Sequence, residues 1–152
     1  MLNPWETVLT GNVDDGTVFD APFTETLDGW HITQYASPGY PVISAGGYAD
    51  IRFSTQGGEF THDPFPIRAS TRYVLHVECQ LNPPAFTTFM PVTLSFSNGS
   101  SVSDSITNLS VYFFVSHDYR FTTPEGAETV QVSFSSYPSQ YFLRNCSLVK
   151  DE

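Results

Sequence analysis

Four histidines, two cysteines and sixteen acids carry the reactive or metal-binding chemistry of this chain, and their spacing limits what they can do. His31, His62, His76 and His117 form no H-x-H pair, and none lies at ligand spacing from Cys79 or Cys146. A zinc centre is therefore not expected, and no metal or cofactor is assigned. The two cysteines sit in apolar contexts, which favours buried free thiols over a single disulfide. Serine is abundant, but no G-x-S-x-G turn and no ordered Ser/His/Asp set occurs. Glycosidases set two carboxylates across a cleft, yet no E-x-E, E-x-D or E-x-x-x-E falls on a predicted strand. Asp14 and Asp15 precede Gly16 and read as a turn. "HDP" at 62–64 is the one histidine–acid contact of note and reads as a strand-ending turn, while His76 falls on a solvated face. An enzyme is not expected.

Aromatic residues carry more signal. A pyranose presents an apolar C–H face that stacks on flat rings, with polar neighbours taking the hydroxyls. Tyr112 and Phe114, opposite Val111, Phe113 and Val115 on a predicted strand, are candidates for such a platform together with Tyr35 and Tyr40. The competing reading of "VYFFV" is a strand buried on both faces. Trp30 is assigned to the core. A second aromatic group lies in "NPPAFTTFMP" (82–91), where Pro83, Pro84 and Pro91 argue against a central strand. Phe86, Phe89 and Met90 there need a cover, since loops run over the surface. The segment can plug one end of the fold, edge a glycan site, or dock on a protein. Interface cores are rich in aromatics and Met and poor in Lys, and the chain has a single lysine, Lys150. Docking through Pro84, Phe86, Phe89 and Met90, with Trp5 in the N-terminal arm, is preferred over glycan binding.

The elements that must position these residues have period two. "TRYVLHVECQL" (71–81) places Tyr73, Leu75, Val77, Cys79 and Leu81 on one face and Arg72, His76, Glu78 and Gln80 on the other. "VTLSFS", "TVQVSFS" and "YADIRFS" alternate in the same way. Further strands are predicted at 30–35, 40–44, 59–62, 110–115, 118–122 and 140–149. "SPGYP", "AGG", "QGGE", "SNGSS" and "TPEGAE" punctuate them as turns. No helical period persists over two turns, so the expectation is all-β: an antiparallel jelly-roll β-sandwich in a single domain. Residues 1–16 are assigned to an N-terminal arm and 17–152 to the sandwich. The net charge of −10 speaks against nucleic acid and anionic membrane surfaces as partners. No secretion signal opens the sequence, and no apolar run approaches membrane-spanning length.

The order of motifs resembles the jelly-roll sandwiches of the carbohydrate-binding-module type. "FTETLDGW" (23–30), "HDPFPIRASTRYVLHVEC" (62–79), "FTTPEGAETVQVSFS" (121–135) and "YFLRNCSLVK" (141–150) follow one another as in that family. The resemblance covers most of residues 20–150 and implies the fold more strongly than the ligand. Many members hold calcium between a Glu after the opening Phe and an Asp in the closing strand. Here Thr24 and Arg144 stand at those places; Glu25 or Asp20 is open to recruitment as a ligand, but calcium is not expected, and Arg144 is open to replacing the ion's charge by pairing with an early acid. Similar folds occur in bacteriophage capsid decoration and tail-fibre proteins. With no export signal, the preferred reading is a non-enzymatic virion protein, a capsid decoration or cement protein that forms a homo-oligomer and binds neighbouring subunits. The alternative is a glycan-binding module for a tail fibre or host surface.

Overall fold

In the computed structural model, which describes residues 17–54, 57–82, 89–136 and 140–151, the chain forms twelve strands, with no helix among those residues. They are β1 (Thr17–Ala21), β2 (Trp30–Ile32), β3 (Val42–Ile43), β4 (Ala49–Arg52), β5 (Gly58–His62) and β6 (Phe65–Pro66). The rest are β7 (Arg72–Asn82), β8 (Met90–Phe96), β9 (Ser101–Ile106), β10 (Val115–Thr122), β11 (Thr129–Ser136) and β12 (Gln140–Lys150). All pairings are antiparallel. The front sheet runs β10-β7-β12-β4-β3, with β1 beside the second half of β12; the back sheet runs β2-β5-β11-β8-β9, with β6 beside β11. The two sheets enclose one hydrophobic core, which makes an all-β jelly-roll sandwich in a single domain.

The sandwich follows from alternation. Tyr73, Leu75, Val77, Cys79 and Leu81 of β7 are buried, and every intervening residue of that strand is less so. From the back sheet, Phe60, Val92, Leu94, Val130, Val132 and Phe134 meet them with no exposed surface. Trp30 stacks on Phe60 at 4.5 Å and is core, as its opening motif implied. Cys79 and Cys146 are free, buried thiols, and burial pushes both far above the ordinary cysteine range.

β12 needs a correction of phase to stay in the core. Tyr141 and Leu143 point inward, and so do Cys146 and Leu148, an odd step that simple alternation forbids. The register shifts between Arg144 and Ser147, and Asn145 takes a left-handed φ of 51°. This bulge inserts one extra residue and restores the buried face.

Several expectations fail for local reasons. The predicted strand 118–122 is β10, which begins at Val115, the last residue of the predicted strand 110–115. Residues 110–114 form a loop, so Tyr112 and Phe114 are not two members of one strand face. The predicted strands 30–35 and 40–44 shrink to β2 and β3, while β1, β6 and the serine-rich β9 were not anticipated. Pro91 lies inside β8, contrary to its reading as a strand breaker. It pairs with Ser105 of β9, but pairing with β11 starts only at Val92, so the missing N–H interrupts no ladder on that side. Met90, expected on a docking surface, is 2% exposed and opposite Ile106. Its long side chain begins the buried phase of β8, so it belongs to the core. Trp5, Pro84, Phe86 and the 1–16 arm lie outside the described residues.

Candidate functional site

Because β7 buries its odd residues and β12 buries Tyr141, Leu143 and, past the bulge, Cys146 and Leu148, the residues between them line the outer face of the front sheet in cross-strand rows. Asp50, Phe142 and Gln80 stand side by side on β4, β12 and β7. The next row is Arg52, Gln140 and Asn82. On the other side of Phe142 come Arg144, Glu78 and Ser116, then Ser147, His76 and Asp118. Polar groups thus flank one outward phenylalanine on every side.

Hydrogen bonds hold the polar groups in place. Gln140 Nε2 donates to Asp50 Oδ1 at 2.7 Å, and Asn82 Nδ2 donates to Gln140 Oε1. Arg52 lies 3.5 Å from Asp50 and places its guanidinium 4.2 Å from the centre of the Tyr40 ring. Arg144 Nε donates to Glu78 Oε2 at 3.2 Å, and Asn145 Nδ2 donates to the same oxygen. Burial alone pushes the Glu78 carboxyl up, but the Asn145 and Arg144 hydrogen bonds and the Arg144 charge outweigh it. Glu78 is held below the usual glutamate value and stays ionised.

Rings close over the middle of this face. Tyr48 packs on Phe142 at 4.8 Å and on Phe114 at 5.7 Å, and the Arg144 guanidinium lies 4.0 Å from the Phe114 ring. Tyr48 adjoins β4 and Phe114 adjoins β10, with β12 and β7 between them. Three strand spacings of ~4.8 Å separate those strands, so both rings lean inward to meet. The result is an aromatic patch of Tyr48, Phe114 and Phe142, with Tyr40 further along the Arg52 row.

Of the glycan candidates read from sequence, Tyr40 and Phe114 join this face. Tyr112 projects from the adjoining loop, and Tyr35 is half-buried, its carbonyl accepting from Ser54 N. Of the docking candidates among the described residues, Phe89 is 39% exposed and Met90 is buried. Tyr48, Phe142 and the amide rows were missed. Phe142 was legible, since an aromatic between buried Tyr141 and Leu143 must face outward in a strand. Histidine–acid contacts were also undercounted. His31 meets Asp63 at 2.6 Å, His76 meets Asp118 at 2.6 Å on the solvated face, and His117 of β10 meets Asp104 of β9 at 2.7 Å.

Arg144 does not pair with an early acid, because outward phase turns it to Glu78 and Phe114. Asp20, Glu25 and Asp28 line a cavity of about 170 Å³ with Phe19, Phe23 and Trp30 at the start of the sandwich. Among the described residues, no three His, Cys, Asp or Glu side chains converge as metal ligands. At the two places where the resemblance sets calcium ligands, Thr24 lines this cavity and Arg144 is paired with Glu78 on the outer face.

No protein-family model and no curated protein matches the sequence. Solved structures do match the fold. The N-terminal CBM22-1–GH10 modules of Clostridium thermocellum endo-1,4-β-D-xylanase 10B, complexed with xylohexaose, align with a TM-score of 0.67 at 11% identity. That match covers 91% of this chain but only 29% of the xylanase chain. The xylan-binding CBM22-1 domain of Paenibacillus barcinonensis Xyn10C aligns with a TM-score of 0.62 at 12% identity, over 90% of this chain and 96% of that one. The enzymatically active domain of bacteriophage CBA120 tailspike protein 4 aligns with a TM-score of 0.60 at 14% identity, over 84% and 20% of the two chains. Identities this low speak to architecture alone: this chain has the jelly-roll fold of the carbohydrate-binding modules.

Proposed function

We propose that this protein binds a glycan on the outer face of its front sheet. One observation carries the reading: outward Phe142 lies between Asp50 and Gln80 in one row and beside Arg52, Gln140 and Asn82 in the next. Phe142 and Tyr48 offer the flat apolar contact that a sugar ring stacks on, and the amides and carboxylate take its hydroxyls. Fixed hydrogen bonds among those groups reduce the ordering cost of binding. The fold is that of modules whose solved examples include a xylan-binding domain and a complex with xylohexaose, which supports the same reading. Binding, not catalysis, is the role assigned.

Affinity electrophoresis through soluble xylan and mixed-linkage β-glucan tests this directly. The protein should be retarded in at least one gel. Phe142→Ala with Gln140→Ala should weaken binding ~30-fold or more, as expected for losing a buried anchor. The melting temperature should hold, since both side chains lie on the outer face. Free migration of the unaltered protein in both gels would sink the proposal.

A second reading places the protein in a virion, where a decoration or tail-fibre subunit docks through Trp5, Pro84, Phe86 and Phe89. Two observations favour it: Phe89 is exposed at the start of β8, and a phage tailspike domain is among the similar folds. It predicts that Phe86→Ser with Phe89→Ser leaves the melt unchanged and abolishes self-association or co-sedimentation with phage particles. A collapsed melt would show that the 82–91 segment covers itself.

A further inference from the structure

We propose that Tyr112 and Phe113 form a second aromatic station for the glycan, taking the chain where it leaves the sheet on the β7–β10 side. The proposal rests on the glycan reading above. Tyr112 is 87% exposed and Phe113 61%, more than any other large hydrophobic residue described. Among the described residues neither ring packs against another ring. Two adjacent aromatics in water gain nothing for the fold, so their presentation needs another cause.

The backbone that carries them is fixed on both sides. Before the tip, Leu109 is buried, Leu81 N donates to the Ser110 carbonyl at 2.9 Å, and Tyr112 N donates to Ser110 Oγ at 3.0 Å. At the tip itself, Gln80 Nε2 donates to the Val111 carbonyl at 3.1 Å. After it, Phe114 is clamped against Arg144 and Tyr48. A tip so anchored presents its rings with the ordering cost already met, the condition under which stacking gives the most affinity.

The same contacts name the occupant. Gln80 is the β7 member of the Phe142 row, and it is also the residue that holds the loop. Phe114 likewise belongs both to the loop and to the aromatic patch. The tip is therefore a continuation of the glycan face, reached by a chain laid across the strands from Tyr40 and Arg52 toward β10. Adjacent strands are ~4.8 Å apart, close to one sugar unit of an extended chain, so a short oligosaccharide fills the sheet and only a longer one meets the tip. Tyr112 and Phe113 then set a preference for chain length.

Calorimetric titration with xylo- and cello-oligosaccharides of two to six units tests this on the full chain. Tyr112→Ala with Phe113→Ala should weaken binding of the six-unit ligand ~10-fold and leave the three-unit ligand unchanged. Phe142→Ala should weaken both. The tip variant should melt like the unaltered protein, because neither ring is buried. Loss of equal size at every length, or no loss at any, overturns the station while the glycan reading stands. If the unaltered protein binds neither series, both fall. If the tip variant keeps all sugar binding but no longer self-associates by size-exclusion chromatography, the tip is a protein-docking element and the station is overturned.

Discussion

At Arg144 a guanidinium covers one face of Phe114 while it satisfies Glu78, so a single outward residue joins β12, β7 and the loop before β10. His62, at the end of β5 in the back sheet, is the comparable residue there. Its ring lies 4.7 Å from Phe19 and 5.0 Å from Trp30, and its Nδ1 meets the Asp63 carbonyl at 2.7 Å. Burial lowers its pKa; the Asp63 carbonyl and charge oppose this, and nearby His31 adds to it. A histidine with a lowered folded pKa contributes its full stability above the unfolded value, about pH 6.5, and loses it as pH falls through the lower folded pKa. The melting-temperature advantage of the unaltered protein over His62→Gln should therefore shrink from pH 7.5 to pH 5. An advantage independent of pH would contradict this account of His62.

Short elements here depend on close backbone approach. β5 begins at Gly58, and Thr33 N bonds to the carbonyl of its neighbour Glu59 at 3.1 Å. A methyl group on Gly58 would run into Thr33 Oγ1 and come within 2.8 Å of the Phe53 ring. Phe53 is buried and has no room to give, so Gly58→Ala should cost roughly 1–3 kcal/mol by overpacking. Calorimetry should show the melt lowered by several degrees, about 2–4 °C per kcal/mol in a domain of this size. An unchanged melt would mean that the strand pair carries slack. The bulge in β12 acts at the same scale: one left-handed residue, Asn145, decides that Cys146 is core and that Arg144 and Ser147 both face out.

Across the whole molecule, charge is unevenly placed. The chain carries −10, yet five of its six bases lie on strands of the front sheet: Arg52, Arg72, Arg120, Arg144 and Lys150. Each arginine of that set has an acid partner: Arg52 with Asp50, Arg144 with Glu78, and Arg72 and Arg120 with Asp151. The proposed glycan face is thus locally compensated within an acidic protein. Affinity for an uncharged glycan should change little between low and high salt, because screening acts on unpaired charges at long range. A steep salt dependence in the same titration would point to a charged ligand and to unpaired arginines on this face.

The all-β sandwich was legible because it rests on local facts. Alternation at 71–81 sets which residues of β7 are buried whatever lies opposite, and Gly, Pro and Asn turns mark where strands stop. Tyr40 was readable as a candidate for the same reason: it is an aromatic in a turn between short strands. "VYFFV" was not readable, because a run of five apolar residues has no phase, and hydrogen bonds from Gln80 and Leu81 made it a loop. Met90 likewise depended on Ile106 of β9, a strand whose serines gave no β signal. The glycan face itself is a cross-strand object. Asp50, Phe142 and Gln80 are far apart in sequence, and only antiparallel register brings them into one row. Register is set by which hydrophobic faces meet across the core, a long-range choice that no stretch of the chain holds alone.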